Sequence, residues 1–481
     1  MRLFQKIHRH YIAFAFSVVG FLGFLASGLL EIKGLNGQIW PVLASVLLIC
    51  FIAISRKYCL IIVSLSAILF SFWRMSGFWD NFDFVSKFEK QEVFISGILA
   101  EDPDITEKGE QRISVNLEKI GGKDAGGRLF AIVKNKVKLR RSDRVFLRGK
   151  LSKGSRGTVG VIFRAQFVKL EKRTDLVRDI RDSFAGGIKQ FISSPEVDLG
   201  LGYLLGQKNS LPETLETALK ITALTHIVVA SGYNLTVLAN FSRRIFQNIS
   251  RKLTLLLMIL LVGGFVLVVG FTPSMVRAGI VAILSAIFWY FGKRTNPYFL
   301  LIFVATMTLF IRPENIFGLG WQLSFASFFG VMILSPKLKE FLFREPEKLP
   351  ALISTFFETF SAQILTLPLI VSAFGVFSTV SMLSNFFVLP LVPPAMLMVF
   401  LTGFFAQVFT PLAQVFGWVS EMILKISIDI IDFFAGIPGA QMEIKMPDFV
   451  PLIFYVVLAL FVLFLEKSTR KTKIMLENPA E

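Results

Sequence analysis

Histidine and cysteine are nearly missing from this chain, and their scarcity removes most enzymatic chemistry at once. Among 481 residues there are three histidines, His8, His10 and His226, and two cysteines, Cys50 and Cys59. Two thiols cannot build a disulfide framework, and their spacing matches no metal-ligand motif, so both read as buried thiols. His8 and His10 lie in a basic N-terminal segment and read as solvated. No HExxH, paired CxxC or His/Asp cluster occurs, nor does a P-loop or a GxSxG elbow. Metal-assisted hydrolysis, nucleotide hydrolysis and serine-nucleophile chemistry all lack residues to carry them. The expectation is a protein that is not an enzyme, has no metal site and uses no cofactor. Acids are short as well, with 34 Asp and Glu against 51 Lys and Arg, for a formal net charge of +17.

What is present is apolar length. Hydrophobic residues make up 54% of the chain, 52 of them Phe, and mean hydropathy is +0.64. Runs of about 18 to 20 apolar residues, enough to span a bilayer, recur along it. Spans are expected near 11–30, 39–54, 58–73, 221–240, 253–271, 275–292, 297–311, 316–334, 351–372, 381–404 and 450–466, roughly ten or eleven in all. Glu421, Lys425, Asp429 and Asp432 interrupt 411–436, which fits an interfacial or cavity-facing helix better than a lipid-exposed one. The first apolar run outlasts a signal-peptide core and lacks a small-x-small cleavage site, so it reads as a membrane helix.

Basic residues at the span ends orient the chain in a cytoplasmic membrane. Arg2, Lys6 and Arg9 place the N-terminus in the cytoplasm, and Arg56 and Lys57 fall on the same side. Lys467, Arg470, Lys471 and Lys473 place the C-terminus there too. Residues 74–200 then lie outside. Four regions follow: membrane helices over 1–73, a polar domain over 86–173, a larger membrane block over 195–466 and a tail over 467–481.

The polar domain reads as short strands at 92–99, 111–117, 128–133, 144–151 and 165–170, parted by Gly-rich turns such as 121–124 and 154–157. So many short strands in so few residues suggest a small closed barrel, with an OB-fold the natural candidate. The fold class is thus a polytopic α-helical membrane protein with an inserted all-β, OB-like extracytoplasmic domain. Between Arg128 and Arg156 there are eleven Lys and Arg and one acid, Asp143. Lys134, Lys136, Lys138, Arg140, Arg141, Arg144 and Arg148 are the candidate basic face, suited to a phosphate backbone without sequence preference. A solvated loop or a face held against anionic lipid would carry the same charge. Few exposed aromatics are expected among these basics, so no base-stacking platform is evident.

Polar groups interrupt the membrane block. Hydrocarbon offers no partner for an imidazole, carboxamide or hydroxyl, so such groups face another helix or a wet path. His226, Ser231, Gly232 and Asn234 share one segment. On a continuous helix His226 and Asn234 would share a face while Ser231 pointed elsewhere, and Ser231 with Gly232 marks a plausible break. Ser274 and Arg277 open the 275–292 span, where Arg277 either snorkels to the interface or points inward towards an anion. Gln322 and Ser324 follow Gly318 and Gly320, and either bond a neighbouring helix or line a path. Gln363 with Pro368, and Asn385 with Pro390, Pro393 and Pro394, complete a polar series. Proline frees backbone carbonyls that are tolerated only beside protein or water.

In this order these segments resemble the ComEC/Rec2 family of competence membrane proteins. Leu201 to Pro212 is similar to the family's LGLLLGD-x-x-x-LP stretch, and His226 to Leu235 to its HLLAISGLHI motif. Ser274, Arg277 and Ala278 match SxxRA, and Trp321 to Phe325 parallels GFQLSF. Ala362 and Gln363 with Leu365 to Pro368 match AQxxTLPL, and Asn385 to Leu391 matches NxxxxPL. The resemblance implies a channel that passes single-stranded DNA into the cytoplasm during natural transformation. The outer basic domain would gather DNA and the second membrane block would form the path. Implied partners are single-stranded DNA, membrane lipid, a separate DNA receptor, a nuclease, and a cytoplasmic motor or single-strand-binding protein. A second copy of the chain, as a homodimer, is also left open.

The sequence departs from the family pattern in two places. Many members carry a C-terminal metallo-β-lactamase-like domain, whereas here the sequence ends at 481 with no HxHxDH ligand set. A short form is expected, one that works with a separate nuclease or conducts only a strand already made single. Asn234 stands where the commonest motif has a second His, which favours hydrogen bonding over proton or metal chemistry. Two other classes of function fit the same residues: a transporter of another anionic or amphipathic solute, and a non-conducting envelope scaffold.

Overall fold

The computed structural model describes residues 9–35, 59–105, 110–134, 137, 139–155, 157–207, 211–228, 232–246, 250–293, 296–447 and 449–477. Cys50, Lys136, Lys138, Ser231 and the span expected near 39–54 lie outside the described residues. The chain packs as two units. One comprises Met1–Ile180, Gly270–Val281 and Ile302–Trp321, and the other Arg181–Val269, Ala282–Leu301 and Gln322–Glu481. The block 195–466 is therefore shared between them rather than forming one body.

In the first unit, helix α1 (Arg9–Leu29) lies along α2 (Cys59–Ser86). Small residues let the backbones approach. A Cβ on Gly23 would stand 2.9 Å from Ser71 Cβ, and Ser71 Oγ donates to the Gly20 carbonyl at 2.8 Å. Close packing and interhelical hydrogen bonds of this kind replace the hydrophobic drive that lipid does not supply. Helix α2 runs past its expected end at 73 to Ser86, because the polar residues beyond the apolar run continue the helix instead of ending it.

The strands of the β domain are β1 (Glu92–Leu99), β2 (Asp104–Ile105), β3 (Gln111–Ile120), β4 (Lys123–Asp124), β5 (Arg128–Val133), β6 (Arg144–Lys153) and β7 (Gly160–Glu171). Strand β1 pairs antiparallel with both β3 and β6, β3 with β5, and β6 with β7. Strands β5 and β7 pair in parallel and close the ring. With β2 and β4 as short accessories to β3, this is the strand order of an OB-fold barrel. Alternation fills the barrel, with Leu129, Ala131 and Val133 of β5 and Val145 and Leu147 of β6 turned inward.

The remaining helices are α3 (Leu176–Ile188), α4 (Glu196–Leu205), α5 (Glu213–Ile221), α6 (Thr225–Val228), α7 (Gly232–Phe246), α8 (Arg251–Val269), α9 (Pro273–Tyr290), α10 (Pro297–Ile311), α11 (Leu319–Phe329), α12 (Ser335–Leu342), α13 (Ala351–Phe374), α14 (Ser381–Val388), α15 (Val392–Val408), α16 (Thr410–Ala435) and α17 (Val450–Glu477). A π turn, Gly330–Leu334, joins α11 to α12. Strands β8 (Val376–Ser378) and β9 (Gln441–Glu443) form a small antiparallel pair across the helices between them. In the second unit α4 is buried nearly throughout. It packs among Leu219, Val228, Ala395, Val399, Leu424 and Ile431.

Among the described residues seven helices are long and apolar enough to cross a membrane, and Ala13–Leu29 and Pro297–Ile311 are shorter apolar helices. The span expected over 221–240 is not one helix. Helix α5 ends at Ile221, Ala223 turns through a φ of 57°, and α6 begins at Thr225, so the run is broken at 222–224. Apolar composition hid this break, and the one expected at Ser231 and Gly232 borders residues that lie outside the described ones. Helix α16 is continuous, with Lys425, Asp429 and Asp432 on its exposed side.

Candidate functional site: the basic barrel and the polar membrane groups

The basic loop 134–143 connects β5 to β6, and its arginines are largely tied to acids. Lys134 is exposed. The Arg140 N–H donates to Asp143 Oδ2 at 3.0 Å, and the Arg141 N–H donates to Asp102 Oδ1 at 2.8 Å. The Arg141 guanidinium lies 3.6 Å from Asp175. It also lies 3.3 Å from where a Cβ would stand on Gly270, whose φ of +115° suits only glycine. Buried Arg178 fastens the loop by donating to the Arg141 carbonyl at 2.8 Å and to Asp143 Oδ1 at 3.2 Å. Further along β6, Arg144 pairs with Glu118 at 2.6 Å and Arg148 with Glu92 at 3.0 Å.

Asp175 anchors this network. Its Oδ1 accepts the Arg178 N–H at the start of α3, the usual role of a helix N-cap aspartate. Its other oxygen accepts the Ser142 hydroxyl at 2.7 Å. Burial pushes its pKa up, but these two hydrogen bonds and the Arg141 and Arg178 charges outweigh burial and hold it below the usual carboxylate value. The 140–143 end of the loop is thus held in place.

Aromatics do interleave with the basic residues, contrary to the sequence expectation. Phe94 on β1 is 44% exposed and packs on Phe146 of β6, ring centroids 6.1 Å apart. Arg144 and Lys169 stand 6.0 and 5.6 Å from the Phe146 ring, and Arg112 lies 4.8 Å from Phe130. The signal was an aromatic at an outward strand position, obscured because the neighbouring inward positions are apolar too.

In the membrane block each polar residue takes a specific place. Asn234 is fully buried on α7, where its Nδ2 donates to the Tyr203 carbonyl of α4 at 2.8 Å. His226 is exposed on α6, with Nδ1 2.9 Å from the Ala223 carbonyl. Residues 229–231 between α6 and α7 lie outside the described residues, and with them the break expected at Ser231. Gly232 begins α7. Ser274 lies one residue into α9, its hydroxyl 3.3 Å from that of Thr272, and Arg277 is buried one turn on.

Gln363 of α13 and Asn385 of α14 meet at one atom, both donating to the Ser381 carbonyl, at 3.2 and 2.7 Å. Ser384 donates to the Thr222 carbonyl at 3.0 Å, tying α14 to the turn before His226. On α11, Ser324 is buried and Gln322 half-buried. That helix continues into the π turn, where Gly330 touches the backbone of α13: a Cβ there would stand 2.5 Å from the Ser361 carbonyl oxygen. The Ser381 carbonyl and the Gly330 crossing were invisible in sequence because their partners are main-chain atoms. Among the described residues no His, Cys, Asp and Glu cluster could hold a metal ion.

A polytopic helical membrane protein carrying an OB-like barrel, with amide and hydroxyl groups fixed between its helices, is the class that fold and site define. The family model for competence proteins matches residues 203–469, and the chain belongs to that family, of the ComEC/Rec2 type. Neither a curated protein nor a solved structure matches it.

Proposed function

We propose that this protein conducts single-stranded DNA across the cytoplasmic membrane during natural transformation. The observation that carries this reading is the competence-family match over 203–469, the region in which Arg277, Ser324 and Asn385 are buried within helices long and apolar enough to cross a membrane. Polar groups in hydrocarbon are expensive and concentrate along transport paths. The barrel lies outside and gathers the strand, and both termini lie in the cytoplasm. Transport involves no covalent step, in keeping with a chain that is not an enzyme and needs no cofactor. A sequence without a P-loop takes its driving force from a partner or a gradient. A DNA receptor, a nuclease and a cytoplasmic motor or single-strand-binding protein act beside it.

The test is uptake of labelled single-stranded DNA into vesicles carrying the wild type, His226→Ala or Arg277→Ala, with a gradient imposed. Uptake by the wild type and its loss in a well-folded variant is the expected result. Vesicles that admit an anionic lipid-linked sugar and exclude DNA would overturn the reading in favour of another anionic solute.

A further inference from the structure

The barrel offers two outward faces on which a nucleic-acid strand could lie. The face of β3 and β5, the usual ligand side of an OB-fold, is mostly closed. Ser114 is buried with its hydroxyl lacking a hydrogen-bond partner, and the Arg128 side chain is 18% exposed and paired with Glu101 at 3.0 Å. The adjoining loop packs on the chain beyond α10, where a Cβ on Gly157 would stand 3.4 Å from the Glu314 carbonyl oxygen.

The face of β1, β6 and β7 is open. Phe94 sits opposite Arg148 and Phe146 opposite Ser96 in the β1–β6 register, so the two rings form a diagonal pair on adjacent strands. Their planes are inclined by 31°. Lys169, opposite Phe146 on β7, and Arg148 flank the pair, with side chains 64% and 58% exposed.

We infer that Phe94 and Phe146, flanked by Arg148 and Lys169, form a stacking platform for consecutive bases of a single strand. The inference rests on the reading that this protein handles single-stranded DNA. Aromatics on adjacent strands, each taking one base, are how small β domains hold unpaired nucleic acid, and stacking tolerates any sequence. The cations at the edge meet the phosphates. Each is already paired, Arg148 with Glu92 and Lys169 with Glu171, so a phosphate must displace a carboxylate. The platform therefore binds weakly and releases readily, as a strand in transit requires. Those carboxylates also argue against a membrane-inserting wedge, because Glu92, Glu118 and Glu171 beside the rings would be repelled by anionic headgroups.

The experiment uses the full chain in nanodiscs of phosphatidylethanolamine and phosphatidylglycerol, with fluorescein-labelled oligo(dT) followed by anisotropy. Phe94→Ala and Phe146→Ala should each weaken binding about tenfold, while Phe146→Tyr, which keeps a stacking ring, should bind like the wild type. Thermal unfolding should be unchanged in all three, which separates stacking from a merely structural role. Wild-type binding unaffected by the double alanine variant would overturn the platform and leave the transport reading standing. No binding by the wild type would overturn both. In a Phe94→Trp variant, added fluorescence should be quenched by oligo(dT). Quenching by brominated phospholipid instead would assign the face to the membrane and overturn the proposal.

Discussion

Asn234 and His226, eight positions apart, separate packing from function at the level of single residues. Asn234 is fully buried and donates to the Tyr203 carbonyl, so replacing it by Leu strands that carbonyl without its partner. The expected loss is about 1–3 kcal/mol, read as a lower unfolding midpoint in detergent. His226 is exposed and contacts a carbonyl three residues back, so His226→Ala should leave that midpoint nearly unchanged while abolishing uptake. Equal destabilisation by both would make His226 a packing residue. That these residues are polar in an apolar run was legible in the sequence. Their partners were not, because Tyr203 and Ala223 act through main-chain carbonyls that any residue would supply.

Elements were legible where periodicity is strict. Strands β1 and β5 fall where alternation places them, and the inward set Leu129, Ala131 and Val133 is a period-two pattern. The 221–240 run failed because hydropathy averages over a turn as readily as over a helix. Two predictions belong at this scale. Gly330→Ala forces a Cβ to 2.5 Å from the Ser361 carbonyl oxygen, where backbone atoms cannot yield as a flexible side chain would. Overpacking of that kind costs typically about 1–3 kcal/mol, so the variant should insert poorly or unfold at a lower temperature, whereas Gly263→Ala, with open space around it, should not. The second concerns the start of α3. Asp175 has a folded pKa below its unfolded value of about 3.9, so its stabilisation is complete above that pH and disappears as pH falls through the folded value. Asp175→Asn should therefore be less stable than the wild type at pH 7, and the two should converge in acid, as measured by protease resistance of the barrel.

At the scale of the whole molecule, a net charge of +17 makes any grip on DNA dependent on salt. Binding to a single strand releases counterions, so log K falls against log salt by about 0.7 for each phosphate contacted. Arg141, Arg144 and Arg148 are held in ion pairs, so their share of that slope is small. Lys134 is exposed, and with Lys136 and Lys138 it is the expected source. Neutralising these three lysines to Gln should lower the slope by about 2 without changing the rate of uptake at saturating DNA. Arg277→Ala should do the reverse, slowing uptake at every DNA concentration and leaving the slope intact. On the proposed reading, in which the lysines gather and Arg277 conducts as independent sites, the combined variant should show the sum of the two losses in log units. A combined loss much smaller than the sum would mean that the lysines and Arg277 act on the strand at one step, and the division between a gathering barrel and a conducting membrane block would have to be abandoned.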